Sequence, residues 1–216
     1  MMMVRSRLDA QLDELNNDMI QMGALCEDII TNSTKAFIEK DFDLAREVLK
    51  SANDIDKKED DIERLCLKML LQQQPVAHDL RVISAALKMI TDMERIGDQA
   101  EDICEIVLVL EKLNVIEIDN IVKMSNESCI MLSSSIDAYV AKDITLARNV
   151  IENDDVVDNL FITVRKDLIK FIRENDEPQV ALDLLMIAKY YERIADHATN
   201  IAEWVIFSIN GDHKNI

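Results

Sequence analysis

The sequence predicts an all-α protein of two pseudo-symmetric three-helix bundles, and three observations carry that prediction. Only 3 Gly and 2 Pro occur in 216 residues, too few to punctuate the turns of a sandwich, a barrel or a doubly wound sheet. Apolar residues recur at three- and four-residue steps almost throughout, which is the period of helices. The chain also repeats itself: residues 94–107 read ERIGDQAEDICEIV and residues 192–205 read ERIADHATNIAEWV, identical at eight of fourteen positions without a gap. Lys40-Asp41 and Leu44-Ala45-Arg46 likewise recur as Lys142-Asp143 and Leu146-Ala147-Arg148, at a spacing of 102. A duplicated three-helix unit follows, divided into residues 1–115 and 116–216, with knobs-into-holes packing inside each bundle.

Each helix has its own signals. The first covers about Arg5 to Glu39. The second begins after Lys40-Asp41, where the Asp41 carboxylate can accept from the free amides of a new helix, and runs unbroken to about Gln74. Pro75 suits a first helical turn, and a stretch rich in Ile, Leu, Met and Ala continues from it to about Leu113. Asn114 to Asn120 reads as the connector. The pattern then restarts, with a helix from about Ile121 to Ala141, one capped by Asp143 and reaching Arg173, and one opened by Pro178 and ending near Gly211.

Composition narrows the function. With 42 Asp and Glu against 24 Lys and Arg, the net charge is −18. That is the wrong sign for gripping nucleic-acid phosphates or anionic lipids, so the expected partners are cations and other proteins. Cys26, Cys66, Cys104 and Cys129 stand singly, without a C-x-x-C pair or a nearby His, which predicts reduced, buried thiols in place of a disulfide framework or a zinc site. No apolar run approaches the roughly 20 residues that span a bilayer, and the first ten residues lack the apolar core of a signal peptide. A cytoplasmic protein is expected. No Gly-rich phosphate loop, Gly-x-Ser-x-Gly elbow or Cys with a partner base occurs, so catalysis is not.

Charge patterning singles out the third helix of each unit. On a wheel at 100° per residue, Met89, Ile90, Met93, Ile96, Ala100, Ile103, Cys104 and Val107 share a broad apolar arc. Beside it Glu94, Asp98, Glu101, Asp102 and Glu105 fall in one strip. The sixth helix repeats the frame with Glu192, Asp196 and Glu203, and has Thr199 and Asn200 where two acids stood. Asp56, Asp60 and Glu63 on the second helix, and Asp154 and Asp158 on the fifth, can face these strips and make all-oxygen sites for hard cations such as magnesium, manganese, calcium or ferric iron. The competing reading is a solvated acidic face, since like charges four apart cost a helix only about 0.2–0.5 kcal/mol per pair. A ferritin-like di-iron oxidase would need Glu-x-x-His, which is absent. His78 and His213 are expected at helix ends, and His197 at the margin of the second strip. Arg95 and Arg193 are expected to pair with neighbouring carboxylates.

The two copies of Glu-Arg-Ile-Gly/Ala-Asp followed by Ala-x-Asp/Asn-Ile, with Gln74-Pro75, His78-Asp79-Leu80-Arg81 and Asp154-x-x-x-Asp158, resemble the PhoU family over nearly the whole chain. The resemblance implies six helices in two similar bundles. It also implies a cytoplasmic, commonly dimeric, negative regulator of the bacterial phosphate response. Its implied partners are the ATPase subunit of the phosphate ABC transporter and the sensor histidine kinase. The family signature of paired acid-x-x-x-Asp motifs implies surface metal clusters, iron first, with zinc, manganese or magnesium as alternatives. Carried onto this chain, it is complete at Asp154, Asp158, Glu192 and Asp196. Glu94, Asp98 and Asp56 match in the first half, with Asp102 beside them, but Ala52 stands where the second half has Asp154. The first site is therefore expected to be the weaker. The remaining alternatives are a helical scaffold without a metal role and an oxygen-ligated metalloenzyme.

Overall fold

The computed structural model describes residues 2–72, 75–112 and 119–211. Among them are seven α-helices: α1 (Met2–Glu39), α2 (Phe42–Ser51), α3 (Asn53–Gln72), α4 (Ala77–Val109), α5 (Asp119–Ala141), α6 (Ile144–Asn175) and α7 (Pro178–Asn210), with a short 3-10 turn at Leu110–Lys112 after α4. The helix α1 packs on α2, α3 and α4, while α5, α6 and α7 pack on one another. This is the duplicated three-helix arrangement, with α2 and α3 together filling the place that α6 fills in the second half. No helix among the described residues is long and apolar enough to cross a membrane.

The repeated Lys-Asp dipeptides explain themselves as junctions. Lys40 and Lys142 both take the left-handed backbone, with φ of 54° and 53°, and so terminate the helix before them. The following Asp opens the next one. Asp41 accepts from the Leu44 amide at 3.0 Å, and Asp143 accepts from both Thr145 and Leu146, at 2.8 and 3.1 Å. Pro178 sits in the first turn of α7, and Gly211, with φ of 77°, closes it.

Two expectations for the helices need correction. The second helix of the first unit is not continuous: it breaks at Ala52, whose carbonyl accepts from Ile55 three residues on, at 2.9 Å. The Ser51 hydroxyl also donates to the Val48 carbonyl, at 2.9 Å, beside the bond that the Ala52 amide keeps to the same oxygen at 3.2 Å. Pro75 does not lie in the first turn of α4. The helix starts two residues later, where the Asp79 carboxylate reaches back to the Val76 amide at 3.2 Å. The expected connector overlaps α5 at Asp119 and Asn120; its other positions, like Gln74, Leu113, the 115/116 boundary and His213, lie outside the described residues.

One apolar core runs through both units. Its most extensive helix contact joins α4 to α7, the third helices of the two repeats. They run antiparallel: Asp92 of α4 meets His197 and Asn200 of α7, and farther along α4 the Asp102 carboxylate meets the Tyr190 hydroxyl. Along this seam Ile96, Ala100 and Ile103 face the core with their equivalents Ile194, Ala198 and Ile201, all fully buried. The α3/α4 contact is equally close. Gly97 lets Ile55 seat against the helix, and a Cβ there would lie 3.0 Å from Ile55 Cδ1. The second unit has Ala195 at the equivalent position of α7 and the smaller Val157 opposite on α6, both fully buried, so volume moves from one partner to the other.

The caps give a first prediction. Asp41→Ala and Asp143→Ala should each lower stability by about 1 kcal/mol, with Asp143→Ala the larger because it strands two amides. Urea unfolding of the two variants checks this; unchanged midpoints would show that the repeated Asp residues do not hold the junctions.

Candidate metal centre

The apolar face of α4 is taken by the core on one side and by α7 on the other, so its acids are confined to the remaining edge, next to α3. There Asp56 acts as the common neighbour. Its charge presses on Glu59 of its own helix and on Glu94, Asp98 and Glu101 of α4. All four carboxyls are raised above their ordinary range, first because they are part-buried and then because they repel one another. Asp102 and Glu105 add to the repulsion on Glu101. Arg95 relieves Glu94 and Asp98 in part.

The second unit gathers its acids from α6 and α7. Asp154 is pushed up to about 6, first by burial and then by Asp196 and Asp158. Asp196 is raised by burial, with Lys189, His197 and Arg193 opposing and Asp158 adding to the shift. Glu192 behaves differently, because Lys189, one turn earlier on the same helix, forms an ion pair and hydrogen bond with it. The same ammonium lies 5.5 Å from the centroid of the Phe161 ring on α6. The equivalent position in the first repeat is Thr91. The second strip thus carries an ammonium ion-paired to one of its acids, and the first has Thr91 in that place.

The predicted residues therefore fall into two groups. Asp56, Glu94 and Asp98 lie along the α3/α4 edge, with Asp102 at its margin beside Tyr190 of α7, and Asp154, Asp158, Glu192 and Asp196 lie along the α6/α7 edge. Ala52, where the first unit lacks an acid, is buried at the break between α2 and α3. Among the described residues no three His, Cys, Asp or Glu side chains are gathered into a group that could hold a metal ion. The donor set nonetheless suits a hard cation: it is all carboxylate, and Glu94, Asp98, Asp154 and Asp196 have proton affinities raised first by burial and then by neighbouring acids whose repulsion a cation would relieve. The helices fix where these carboxylates are attached, and side-chain rotation would have to gather them.

Several side chains were not legible as part of the site. Lys189 could have been found from its spacing of three residues before Glu192, which places the two on one face. Glu59 follows Asp56 by the same step on α3. His197, expected at the margin of the second strip, turns instead into the α4/α7 seam, where its Nδ1 lies 2.8 Å from Asp92. His78 is exposed near the start of α4, as expected. Arg95 and Arg193 depart from expectation, since among the described residues neither is ion-paired; Arg193 lies over the Tyr190 ring, 6.0 Å from its centroid. Of the cysteines, Cys26, Cys66 and Cys104 are buried free thiols and Cys129 is half-buried. Burial pushes the Cys66 and Cys104 thiols up to about 12, which makes them inert.

Comparison with known proteins agrees with this architecture. The family model of the PhoU domain matches twice, over residues 19–107 and 121–205. A phosphate-specific transport system accessory protein PhoU homolog of Clostridium acetobutylicum is 34% identical, over 99% of each chain. One from Aquifex aeolicus is 37% identical, over 87% of this chain and 86% of its own. The crystal structure of PhoU from Pseudomonas aeruginosa superposes with a TM-score of 0.90 at 30% identity, covering 94% of this chain and 99% of that one. The phosphate transport system regulatory protein PhoU from Streptococcus pneumoniae, at 23% identity and a TM-score of 0.91, shares the fold.

Asp154 yields a pH prediction. Its carboxyl titrates near 6 in the folded chain against an ordinary 3.8, so the folded state holds the proton more tightly. Its contribution to stability is therefore greatest below about pH 4, falls as pH rises to about 6, and is flat beyond. With solvent screening discounted, Asp154→Asn should stabilise the metal-free protein by about 1 kcal/mol near pH 7 and flatten the decline below it. Urea unfolding in chelator from about pH 4 to about pH 7 checks this; an unchanged slope would contradict it.

Proposed function

The chain belongs to the PhoU family, and from that premise we propose that it is a negative regulator of phosphate uptake and of the phosphate-starvation response. In this reading it acts as a metal-binding adaptor in the cytoplasm. It works by stoichiometric contact with the ATPase subunit of the phosphate ABC transporter and with the phosphate-sensing histidine kinase, and it pairs with a second copy of itself. The observation that carries the reading is the near-full-length likeness to accessory proteins of phosphate-specific transport. The absence of any motif for a nucleophile, a base or a nucleotide loop favours binding over turnover.

The acid strips supply the metal part of the proposal. Asp56, Glu94, Asp98 and Asp102 would hold an ion at the α3/α4 edge, and Asp154, Asp158, Glu192 and Asp196 one at the α6/α7 edge. Iron, or else manganese, magnesium or zinc, would neutralise carboxylates that now repel one another and would tie α3 to α4 and α6 to α7. The two sites differ in opposite senses. The first lacks the acid replaced by Ala52, while the second must give up the Lys189 contact to Glu192.

Two outcomes test these claims. Purified ATPase subunit of the phosphate transporter from the same organism should be retained by the immobilised chain and by its Asp154→Asn variant; no retention of either would remove the adaptor reading. Calorimetric titration of chelator-stripped protein with manganese should show Lys189→Met tightening the second site about fivefold, the effect of removing about 1 kcal/mol of internal competition. The same affinity in wild type and variant would show that Lys189 does not compete for the site.

A further inference from the structure

Arg95 and Arg193 hold equivalent places in the two repeats, and the antiparallel seam of α4 and α7 brings both to one cleft of about 630 Å³. Neither forms an ion pair among the described residues, although Arg95 is near enough to Glu94 and Asp98, and Arg193 to Asp196, to offset part of the rise in their proton affinity. Gln99 and Thr199 line the same cleft; the buried Gln99 Oε1 has no hydrogen-bond partner, while the Thr199 hydroxyl lies by the Asp154 carboxylate, whose proton affinity it lowers. Gln99 is only 9% exposed. A buried polar atom without a partner is rare in folded proteins, and this one borders a cleft that can hold what satisfies its amide. A half-turn of the Gln99 amide presents its NH2 group to the cleft.

Asp196 is the one carboxylate on this lining. His197 and Asn200 border the cleft too, but both are engaged by Asp92, at 2.8 and 3.1 Å, which fixes the wall they form. The lining is thus two guanidiniums, neutral donors and one acceptor.

We propose that this cleft binds a phosphate group, in the form of inorganic phosphate, between Arg95 and Arg193. Two planar guanidinium forks from facing helices suit a tetrahedral oxyanion, which a single ammonium would grip without orientation. Asp196 sets the choice among oxyanions. Near neutral pH hydrogenphosphate keeps a proton and donates it to a carboxylate, whereas sulfate has none and meets only repulsion. The inference deepens the adaptor reading and rests on it for its regulatory meaning, since it names phosphate as the ligand that would report sufficiency across the seam joining the two repeats.

The test is calorimetric titration of chelator-stripped, full-length protein with sodium phosphate at constant ionic strength, with sulfate and adenosine monophosphate as parallel titrants. Wild type should saturate with one phosphate per chain. Arg95→Gln plus Arg193→Gln should weaken binding at least about tenfold while the circular dichroism spectrum is retained. Sulfate should bind at least about tenfold more weakly than phosphate, and Asp196→Asn should bring the two anions together. Tighter binding of adenosine monophosphate would keep the site and make a phosphate ester its ligand. No saturation by any of the three, or equal binding by wild type and the double arginine variant, would overturn the proposal. Should the chain retain the transporter ATPase subunit yet bind no phosphate, this inference fails and the adaptor reading stands; phosphate binding without retention reverses that outcome.

Discussion

The structure depends on the antiparallel contact between α4 and α7, the third helices of the two repeats. Ile96, Ala100, Ile103 and Val107 on one helix and their equivalents Ile194, Ala198, Ile201 and Val205 on the other are all buried. Each isoleucine withdrawn from water contributes about 1.5–3 kcal/mol. Polar ties close the seam at two levels, through Asp92 with His197 and Asn200 and through Asp102 with Tyr190. Asp92 and Tyr190 occupy equivalent repeat positions, as do Asn200 and Asp102. The pseudo-two-fold therefore exchanges donor and acceptor roles while keeping the contact.

That seam determines where charge can go. A helix whose apolar arc is filled from two directions leaves one free edge, and in both repeats most of the acids lie there, beside α3 or α6, while Asp92 and Asp102 turn to the seam. Burial of their stems and mutual repulsion raise the proton affinity of nearly every carboxyl that responds. The repeats then diverge by small exchanges. Ile55 with Gly97 becomes Val157 with Ala195, which conserves volume. Thr91 becomes Lys189, and Glu101-Asp102 becomes Thr199-Asn200, which lowers the negative charge of the second edge. The first edge is the more strongly anionic, and the second holds an internal ammonium against Glu192.

Much of this was legible from sequence, for identifiable reasons. The repeat, the Asp41 and Asp143 caps and the apolar arc of α4 follow from local chemistry and helical period, and these alone produce the two-unit helical fold. The break at Ala52 was not legible, because it falls within an otherwise periodic stretch without Gly or Pro. Nor was the start of α4 two residues beyond Pro75, since Asp79 reaching back to Val76 outweighs the proline's preference for a first turn. The eight predicted metal ligands are carried by α3 and α4 in one repeat and by α6 and α7 in the other, and among the described residues they are not gathered into a metal-holding group. Their sequence pattern fixes the edge, but not the rotamers, nor the cross-repeat company of Arg95, Arg193, Gln99 and His197, which depends on how α4 crosses α7.

The central claim is that the two acidic edges hold cations. The most direct measurement is elemental analysis of untagged protein purified without chelator, comparing wild type with Asp98→Ala plus Asp196→Ala. The account predicts bound iron, or manganese, zinc or magnesium in its place, in the wild type and its loss from the double variant with the helical signal unchanged. A folded wild type that carries no metal and takes up none when offered, or a double variant that keeps the wild-type metal content, would contradict it.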